Sequence, residues 1–259
     1  MRLGSSGILM LFSLGASMAV VAPAPAETVN CTAVITSLPY TISASGVYCL
    51  TDDLNTNLPS GNAIEITANS VILDMNGHKI GNLSAGPGNA ATGIYAAQRQ
   101  NITIKNGTVR GFLFGISLDD TFPYTNSQGH VIEDIRADRN TYAGISALGR
   151  GMVIRNSQVV ATGGTTLFAP NANAYGIQVY GPGNRVLDND VVSVTKQGSG
   201  TAWGIYFSSA TDDGVAVNNR ITEAGVALEM TVVSVKYRDN LTLAVATPFT
   251  GGTNIGNNN

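Results

Sequence analysis

A glycine followed by isoleucine or valine recurs along this chain, and this motif constrains the fold more than any other feature. The motif begins at six positions, 21 to 32 residues apart: Gly93, Gly115, Gly144, Gly176, Gly204 and Gly225. Repeats with periods in this range are typical of solenoids, in which each unit buries its apolar face only by stacking on its neighbours.

A second motif, an apolar residue followed by any residue and then Asn or Asp, lies between successive glycine motifs. It is found at Ile104-Lys105-Asn106, Ile132-Glu133-Asp134, Ile154-Arg155-Asn156, Leu187-Asp188-Asn189 and Val217-Asn218-Asn219, and more weakly at Arg238-Asp239-Asn240. Asn tolerates left-handed backbone, and its amide can bond to an equivalent amide one coil away. We therefore expect these Asn residues at a corner of each coil.

The repeats have the composition of strands and turns. Each contains two or three short runs rich in Ile and Val, separated by Gly, Asn, Asp, Ser and Thr, and no segment after residue 26 has a helical period. The pattern predicts an all-β chain: a single right-handed parallel β-helix of about seven coils, ~34 Å long. A leucine-rich repeat and a propeller fit less well, since they require regular Leu offsets or blades of about 40 residues.

Alternation along a strand predicts which side chains face the core. One inward row is Ile94, Ile116, Ile145, Ile177, Ile205 and Val226, and a second is Ala96, Leu118, Ala147, Val179, Phe207 and Leu228. The outward row between them is Tyr95, Ser117, Ser146, Gln178, Tyr206 and Ala227. The aromatic residues before three of the glycines, Phe114, Tyr175 and Trp203, are assigned to core or corner packing.

Residues 1–26 have the features of a secretory signal peptide. Arg2 is followed by an apolar run from residue 8 to 21 and by small residues up to Ala26, after which we expect cleavage. The apolar run is too short and too rich in small residues to indicate a membrane span, although a retained anchor is the alternative. We therefore predict a secreted or periplasmic protein with an N-terminal cap and first strand at 27–61, the β-helix at 62–245 and an irregular tail at 246–259.

Charge and cysteine content narrow the function classes. The formal net charge is −3, and the chain has no Lys/Arg-rich run, which argues against nucleic-acid binding. In an exported chain, Cys31 and Cys49 are expected to form a disulfide that covers the open end of the first coil. A redox or metal-binding pair is the alternative, but the two cysteines lack a Cys-x-x-Cys spacing.

Four segments carry a resemblance to a known family. They are Leu38-Pro39-Tyr40-Thr41-Ile42, Gly46-Val47-Tyr48-Cys49-Leu50, Leu73-Asp74-Met75-Asn76-Gly77-His78-Lys79-Ile80 and residues 101–109. Over most of residues 31–245 the chain resembles exported bacterial right-handed β-helix repeat proteins of the pectate-lyase-like superfold. That superfold includes lyases, hydrolases, epimerases and non-catalytic proteins, so the resemblance implies a fold and no single reaction.

Longer loops indicate where a binding groove would lie. The loops 81–90, 161–174 and 195–202 are expected to leave the solenoid at one corner, and the loop 119–129 at another. The strand surface between them carries Tyr95, Gln178, Tyr180 and Tyr206, which we assign to polysaccharide binding because aromatic faces stack on sugar rings and amides bond sugar hydroxyls. The alternative is that these tyrosines only stack on one another and stabilise the sheet.

The candidates for catalysis form incomplete sets. Asp119 and Asp120 are a carboxylate pair for glycoside hydrolysis, but the further Asp, His-Gly and Arg-x-Lys elements of polygalacturonase-type hydrolases are absent. Arg136, Arg139 and Arg155 are candidates for a lyase, which would use calcium, although no Asp/Glu triad for calcium is visible. The series Lys105, Glu133, Arg155 and Asp188 is also explained by plain ion pairing between coils.

The two histidines, His78 and His130, occupy non-equivalent positions, so we expect no metal site and no cofactor. The leading hypothesis is an exported β-helix protein that binds polysaccharide or a cell-envelope glycan along a lateral groove. Modification of the polymer by a lyase, hydrolase or epimerase remains open, as does the oligomeric state. The alternative hypothesis is a non-catalytic envelope or cell-surface scaffold.

Overall fold

The computed structural model describes residues 30–259, and its named strands all pair in parallel with strands one coil earlier or later. The predicted signal peptide, residues 1–26, lies outside the described residues. The strands, in chain order, are β1 (Ala33–Ile35), β2 (Tyr40–Ile42), β3 (Gly46–Leu50), β4 (Leu54–Asn55), β5 (Ser60–Ile66), β6 (Val71–Asp74), β7 (Lys79–Gly81), β8 (Ala90–Ala97), β9 (Ile102–Arg110), β10 (Phe114–Asp119), β11 (Val131–Asp138), β12 (Ala143–Leu148), β13 (Val153–Arg155), β14 (Gln158–Gly163), β15 (Ala174–Tyr180), β16 (Arg185–Leu187), β17 (Asp190–Thr195), β18 (Ala202–Phe207), β19 (Val215–Val217), β20 (Arg220–Thr222), β21 (Val226–Met230), β22 (Lys236–Arg238), β23 (Leu241–Leu243), β24 (Thr247–Gly251) and β25 (Thr253–Gly256). The described residues contain one short 3-10 turn, Leu83–Ala85, and no helix long and apolar enough to cross a membrane.

Two sheets wrap around one core, which confirms a right-handed parallel β-helix. The first, which we call the Gly-Ile sheet, has nine strands in the order β2-β5-β8-β10-β12-β15-β18-β21-β24. The other strands form the second sheet, which bends around the remaining sides of each coil. Coils lie on both sides of those marked by the glycine motif, so the solenoid is longer than that motif alone indicates.

The recurring glycines are required by close packing inside the solenoid. A Cβ on Gly176 would lie 2.6 Å from Cγ1 of Val191 in the core and 2.4 Å from the carbonyl oxygen of Gly204 in the next coil. Gly144 is equally confined, since its Cβ would lie 2.5 Å from Cγ1 of Val159. Any larger residue at these positions would therefore push neighbouring coils apart.

The predicted inward rows are confirmed for all but the last marked coil. Ile94, Ile116, Ile145, Ile177 and Ile205 pair in register and are fully buried. In β21 the register differs, because Leu228 pairs with Ile205 and Val226 pairs with Trp203. The strand thus pairs two residues later than the motif indicates, so that Val226 takes the outward position of Trp203 and Ala227 the inward position of Gly204, the reverse of the prediction for both.

The corner asparagines form two rows, where the sequence motif suggested one. The first row has left-handed backbone, with φ between 49° and 58°, and consists of Asn76, Asn106, Asp134, Asn156, Asp188, Asn218 and Asp239. The second row is one residue later and buried: Asn189 donates to Oδ1 of Asn219 at 3.1 Å, and Asn219 donates to Oδ1 of Asn240 at 3.0 Å. The expected amide bonds between coils are thus present, but in this second row.

Both ends of the solenoid are more regular than the sequence suggests. A disulfide joins Cys31 and Cys49, whose Cα atoms are 5.8 Å apart, and β1 pairs with β3, so the first coil begins inside the predicted cap. The prediction of an irregular tail at 246–259 is wrong, because Thr247–Gly251 and Thr253–Gly256 are strands. Hydrogen bonds to the preceding coil order this Gly/Asn/Thr-rich segment, and Asn258 continues the buried Asn row.

Candidate functional site

The outer face of the Gly-Ile sheet carries a cluster of aromatic side chains. The outward row predicted from the sequence is present, since Tyr95, Ser117, Ser146, Gln178 and Tyr206 pair in register along it. Because β21 is shifted by two residues, this row continues with Glu229, which pairs with Tyr206.

Phe114, Tyr175 and Trp203 also lie on this outer face, so their assignment to the core or a corner is wrong. The reason is the glycine that follows each of them. A Cβ added to a motif glycine would point into the core; on Gly176, for example, it would meet Val191. The isoleucine that follows the glycine also points inward. Two consecutive inward positions interrupt the strand alternation, which turns the preceding aromatic residue outward.

A cleft of about 430 Å³ lies across the middle of this face. Its floor consists of Ser117, Ser146 and Gln178, and the amide of Gln178 donates a 2.7 Å hydrogen bond to the Ser146 hydroxyl. One side consists of Thr92, Phe114, Tyr142 and Tyr175, and the other of Tyr95, Asp119, Leu148 and Tyr180. The cleft thus combines apolar aromatic surface with neutral hydrogen-bonding groups, as small-molecule sites commonly do.

The aromatic side of the cleft is internally packed. Tyr142 meets Phe114 edge-on with ring centroids 5.3 Å apart, and Tyr175 stacks on Trp203 at 4.7 Å with an interplanar angle of 14°. Tyr206 contacts both Tyr175 and Tyr180, at 5.6 and 6.2 Å. These contacts hold the rings in place and stabilise the sheet, as the alternative interpretation of the tyrosines expects, while their role in sugar binding stays a prediction.

Loops enclose the cleft on the two sides that the sequence predicts. The loops 81–90 and 161–174 meet where the Thr166 amide donates to the Pro87 carbonyl at 3.1 Å, and 161–174 meets 195–202 through the paired residues Ala172 and Gln197. Phe168 from this group packs on Tyr142 with centroids 5.3 Å apart. On the opposite side, Tyr124 of the loop 119–129 packs on Tyr180 at 5.8 Å.

Two smaller cavities extend the cleft in opposite directions. One, of about 380 Å³, shares Tyr142 with the cleft and is also lined by Phe168, Asn171 and Asn173. The other, of about 220 Å³, shares Tyr95 and Asp119 with the cleft and is also lined by Gln98, Asp120 and Thr121. Together they form a path that crosses the Gly-Ile sheet from one loop system to the other.

The cleft tyrosines remain protonated over the ordinary pH range. Burial is the main cause of the raised pKa of Tyr95, Tyr142, Tyr175 and Tyr206, and it raises the pKa of Tyr180 to about 12. Each tyrosine hydroxyl can therefore both donate and accept hydrogen bonds, which suits a ligand whose own hydroxyl groups do the same.

The two adjacent aspartates occupy different environments. Asp119 is partly exposed in the cleft, where the Tyr95 hydroxyl lies 3.4 Å from its Oδ2 atom. Asp120 is buried, and its carboxylate accepts 2.9 Å hydrogen bonds from the backbone amides of Thr121, Asn126 and Ser127. Asp120 thus holds the start and end of the loop 119–129 together, which leaves Asp119 as the carboxylate that the cleft presents.

The three candidate arginines lie on the second sheet, away from the cleft. Arg155 is 2.5 Å from Glu133 in the neighbouring coil, Arg139 is 3.3 Å from Asp138, and Arg136 bonds to Gln158. Lys105 is 3.3 Å from Asp74. These contacts support ion pairing between coils. Leu187 pairs with Arg155, so Asp188 is one residue outside the predicted charge series.

His130 supports the loop 119–129 from inside the solenoid. It is buried, its Nδ1 atom accepts a 3.0 Å hydrogen bond from the Ile102 amide, and its Nε2 atom lies 2.9 Å from the Ser127 hydroxyl. Burial lowers the pKa of His130 to about 4, which keeps the ring neutral. His78 lies 3.6 Å from Asp53 on the surface, and residues 30–259 contain no group of three or more His, Cys, Asp or Glu that could hold a metal ion.

Sequence reasoning placed Tyr95, Gln178, Tyr180 and Tyr206 on this face but did not assign Phe114, Tyr142, Tyr175, Trp203 and Ser146 to the site. One signal was available for the aromatic group, because Phe114, Tyr175 and Trp203 each directly precede a motif glycine. Tyr142 carries no such signal and is brought into the cleft by the register of neighbouring coils.

No protein-family model matches the chain, and no curated protein matches it. Among solved structures, it is similar to the Dettilon tailspike protein, with a TM-score of 0.52 and 15% identity over 80% of this chain and 46% of that one. The chain therefore spans about half the length of that protein, and the likeness supports the β-helix fold. It also matches endopolygalacturonase I from Stereum purpureum, complexed with two galacturonate, with a TM-score of 0.30 and 9% identity over 88% of this chain and 95% of that one.

Proposed function

We propose that this protein binds a polysaccharide along the path that crosses the Gly-Ile sheet. The observation that carries the proposal is the cleft of about 430 Å³, in which Phe114, Tyr142 and Tyr175 face Tyr180 across a floor of Ser and Gln. An aromatic side suits the apolar face of a sugar ring, and neutral floor groups suit its hydroxyls. Cavities that continue the cleft on both sides suit a polymer of several units.

The proposal is for binding without cleavage. Acid–base glycoside hydrolysis uses two carboxyl groups about 5 to 9.5 Å apart on either side of the bond. Within residues 30–259, Asp119 is the one carboxylate that lines the central cleft, and the oxygens of Asp120 are used inside the loop. None of the three arginines considered as a lyase base lines the cleft. A binding surface on an envelope or cell-surface protein agrees best with these contacts.

The disulfide supports a place outside the cytoplasm, because such bonds persist in oxidising compartments. Together with the features of residues 1–26, it supports a secreted or periplasmic location, where cell-envelope polysaccharides are accessible. The cell envelope or an external glycan is therefore the proposed partner.

The proposal is tested by measuring affinity for neutral polysaccharide fragments by calorimetry, with Tyr180→Ala as the test variant. Loss of one stacking ring is expected to weaken binding about tenfold, near 1.4 kcal/mol. Tyr40→Ala is the matched control, because Tyr40 is a half-buried aromatic residue in the first coil, outside the cleft. If the Tyr180 variant bound every fragment as tightly as the unmodified protein does, the binding site would lie elsewhere.

Cleavage is checked on the same samples by counting new chain ends after long incubation, with and without calcium. We expect none. New saturated ends that vanish in Asp119→Asn would instead make the cleft a hydrolytic site.

A further inference from the structure

The outer face of the Gly-Ile sheet has a one-sided charge. Glu65 pairs in register with Tyr95, Glu229 pairs with Tyr206, and Asp119 lies at the end of β10 beside Tyr95. None of the residues that line the cleft or its two side cavities is a lysine or arginine. The polymer path therefore runs over a surface with carboxylates and no lining cation.

These carboxylates have no neighbouring cation in the part of the chain that the structure describes. Within residues 30–259, Glu65, Asp119 and Glu229 have no ion-pair partner within 4 Å, whereas several acidic residues of the second sheet are paired with Lys or Arg, as Glu133 is with Arg155 and Asp138 with Arg110. Glu229 accepts a hydrogen bond from the Trp203 indole and Asp119 from the Tyr95 hydroxyl, both neutral donors. No cation among residues 30–259 thus neutralises their negative charges.

Aromatic rings add to this effect, because their faces attract cations. Asp119 is best placed to act on a ligand, since it lies where the cleft meets one of its side cavities and is partly exposed there. A bound sugar that carries an ammonium group would form a charge-assisted hydrogen bond with it, and a sugar that carries a carboxylate would be repelled.

We infer that the cleft selects its glycan by charge: sugars with a free ammonium group bind most tightly, neutral sugars less tightly and uronates least, with Asp119 as the residue that makes the selection. This inference rests on the proposed polysaccharide binding and names the class of sugar that the cleft takes. It runs against the acidic polymers that a lyase of this fold would require.

The test compares three oligosaccharides of equal length: a glucosamine oligomer, its fully N-acetylated counterpart and an oligogalacturonate. Calorimetry at about pH 5.5 keeps the amines charged, since comparable amines have pKa values of about 7.7 to 8.0. The glucosamine oligomer is expected to bind about tenfold more tightly than the acetylated one, and the oligogalacturonate at least tenfold more weakly. The preference should shrink as salt rises, because salt screens exposed charges.

Asp119→Asn is the decisive variant. It should remove most of the preference for the glucosamine oligomer, so that the ratio of its affinity to that of the acetylated oligomer, measured on the same variant, falls from about tenfold towards one. Asp190→Asn is the matched control, because it removes one negative charge from the second sheet, where Asp190 pairs with Arg220, and should leave the preference intact.

Two outcomes would overturn the inference: equal affinity for the three oligomers, or an unchanged preference in Asp119→Asn. Either result would leave the proposed function standing if Tyr180→Ala still weakened binding of the acetylated oligomer. If Tyr180→Ala bound the acetylated oligomer as tightly as the unmodified protein does, the proposed binding site itself would be wrong. Failure of the charge selection and failure of the proposed function are therefore distinguishable.

Discussion

The amide of Gln178 donates a 2.7 Å hydrogen bond to the hydroxyl of Ser146, one coil away in the floor of the cleft. Both side chains are buried, Gln178 at 7% and Ser146 at 2% relative exposure, so the bond fixes the orientation of the amide. The bond uses the nitrogen of the Gln178 amide, so the carbonyl oxygen of that amide is the group that we expect to accept a hydrogen bond from a sugar hydroxyl.

The first prediction concerns this floor. Gln178→Leu retains the side-chain size and removes both polar groups, and it is expected to weaken glycan binding about tenfold through the loss of one or two hydrogen bonds. Affinity is measured by calorimetry with the oligomer that binds best, and folding by thermal denaturation. Ser146→Ala should have a smaller effect, since it only frees the amide; an effect larger than that of Gln178→Leu would contradict this assignment.

The second prediction concerns the motif glycine in β15. Gly176→Ala places a methyl group 2.4 Å from the Gly204 carbonyl oxygen, closer than real side chains approach backbone. We expect a loss of about 3 kcal/mol in the free energy of unfolding, measured with a chemical denaturant. Gly88→Ala is the control, because its Cβ would meet only the Thr166 hydroxyl at 3.2 Å. Similar stabilities for the two variants would show that the coils can separate without cost.

The third prediction concerns pH. The pKa of His130 falls to about 4 in the folded protein from 6.5 in a free histidine, because burial disfavours the charged ring. The unfolded chain therefore binds a proton at higher pH than the folded chain. The stability that the neutral ring contributes is complete above about pH 6.5 and is lost as the pH falls from there to about 4, by up to ~3 kcal/mol.

The measurement for His130 is the free energy of unfolding at several pH values between 4 and 7. His130→Gln retains polar atoms but does not titrate, so its stability should fall less steeply over this interval than that of the unmodified protein. Parallel curves for the two proteins would rule out His130 as the titrating group.

The fourth prediction concerns the disulfide, which closes a loop with a sequence separation of 18 residues. A loop of this size is worth about 3 kcal/mol in the chain-entropy description. Replacing both Cys31 and Cys49 by Ala should therefore lower the free energy of unfolding by about this amount. A reducing agent should destabilise the unmodified protein and have no effect on the double variant, whereas an equal effect on both would point to another cause.

Much of the fold followed from local patterns because a solenoid repeats the same short-range rules. The five inward isoleucines from Ile94 to Ile205 were identified from the glycine motif and alternation alone. The errors arose where one coil departs from the others: Ala227 occupies the place of the motif glycine, so that β21 is shifted by two residues. A motif search reads Gly225-Val226 as equivalent, but pairing with β18 selects the register that buries Leu228.

The site was predicted in outline and corrected in detail. Alternation placed Tyr95, Gln178 and Tyr206 outward, and loop positions indicated a groove. The aromatic side of the cleft was missed because the side chains do not alternate strictly at the motif glycine. Both the glycine position and the following isoleucine face the core, where an added Cβ on the glycine would come within 3 Å of its neighbours. Asp119 and Asp120 are adjacent in sequence and similar in chemistry, and only their hydrogen bonds separate a carboxylate in the cleft from one that holds a loop.

The sequence by itself determined the repeat, the strand chemistry, the inward isoleucines and the pair of cysteines, because these depend on period and residue type within one coil. The tertiary structure decided which coils are in register, and therefore which side chains from different coils meet. The edge-on contact of Tyr142 with Tyr175 and the place of Asp119 in the same cleft both depend on that register. A site built from several coils is a property of their stacking, which no single repeat encodes.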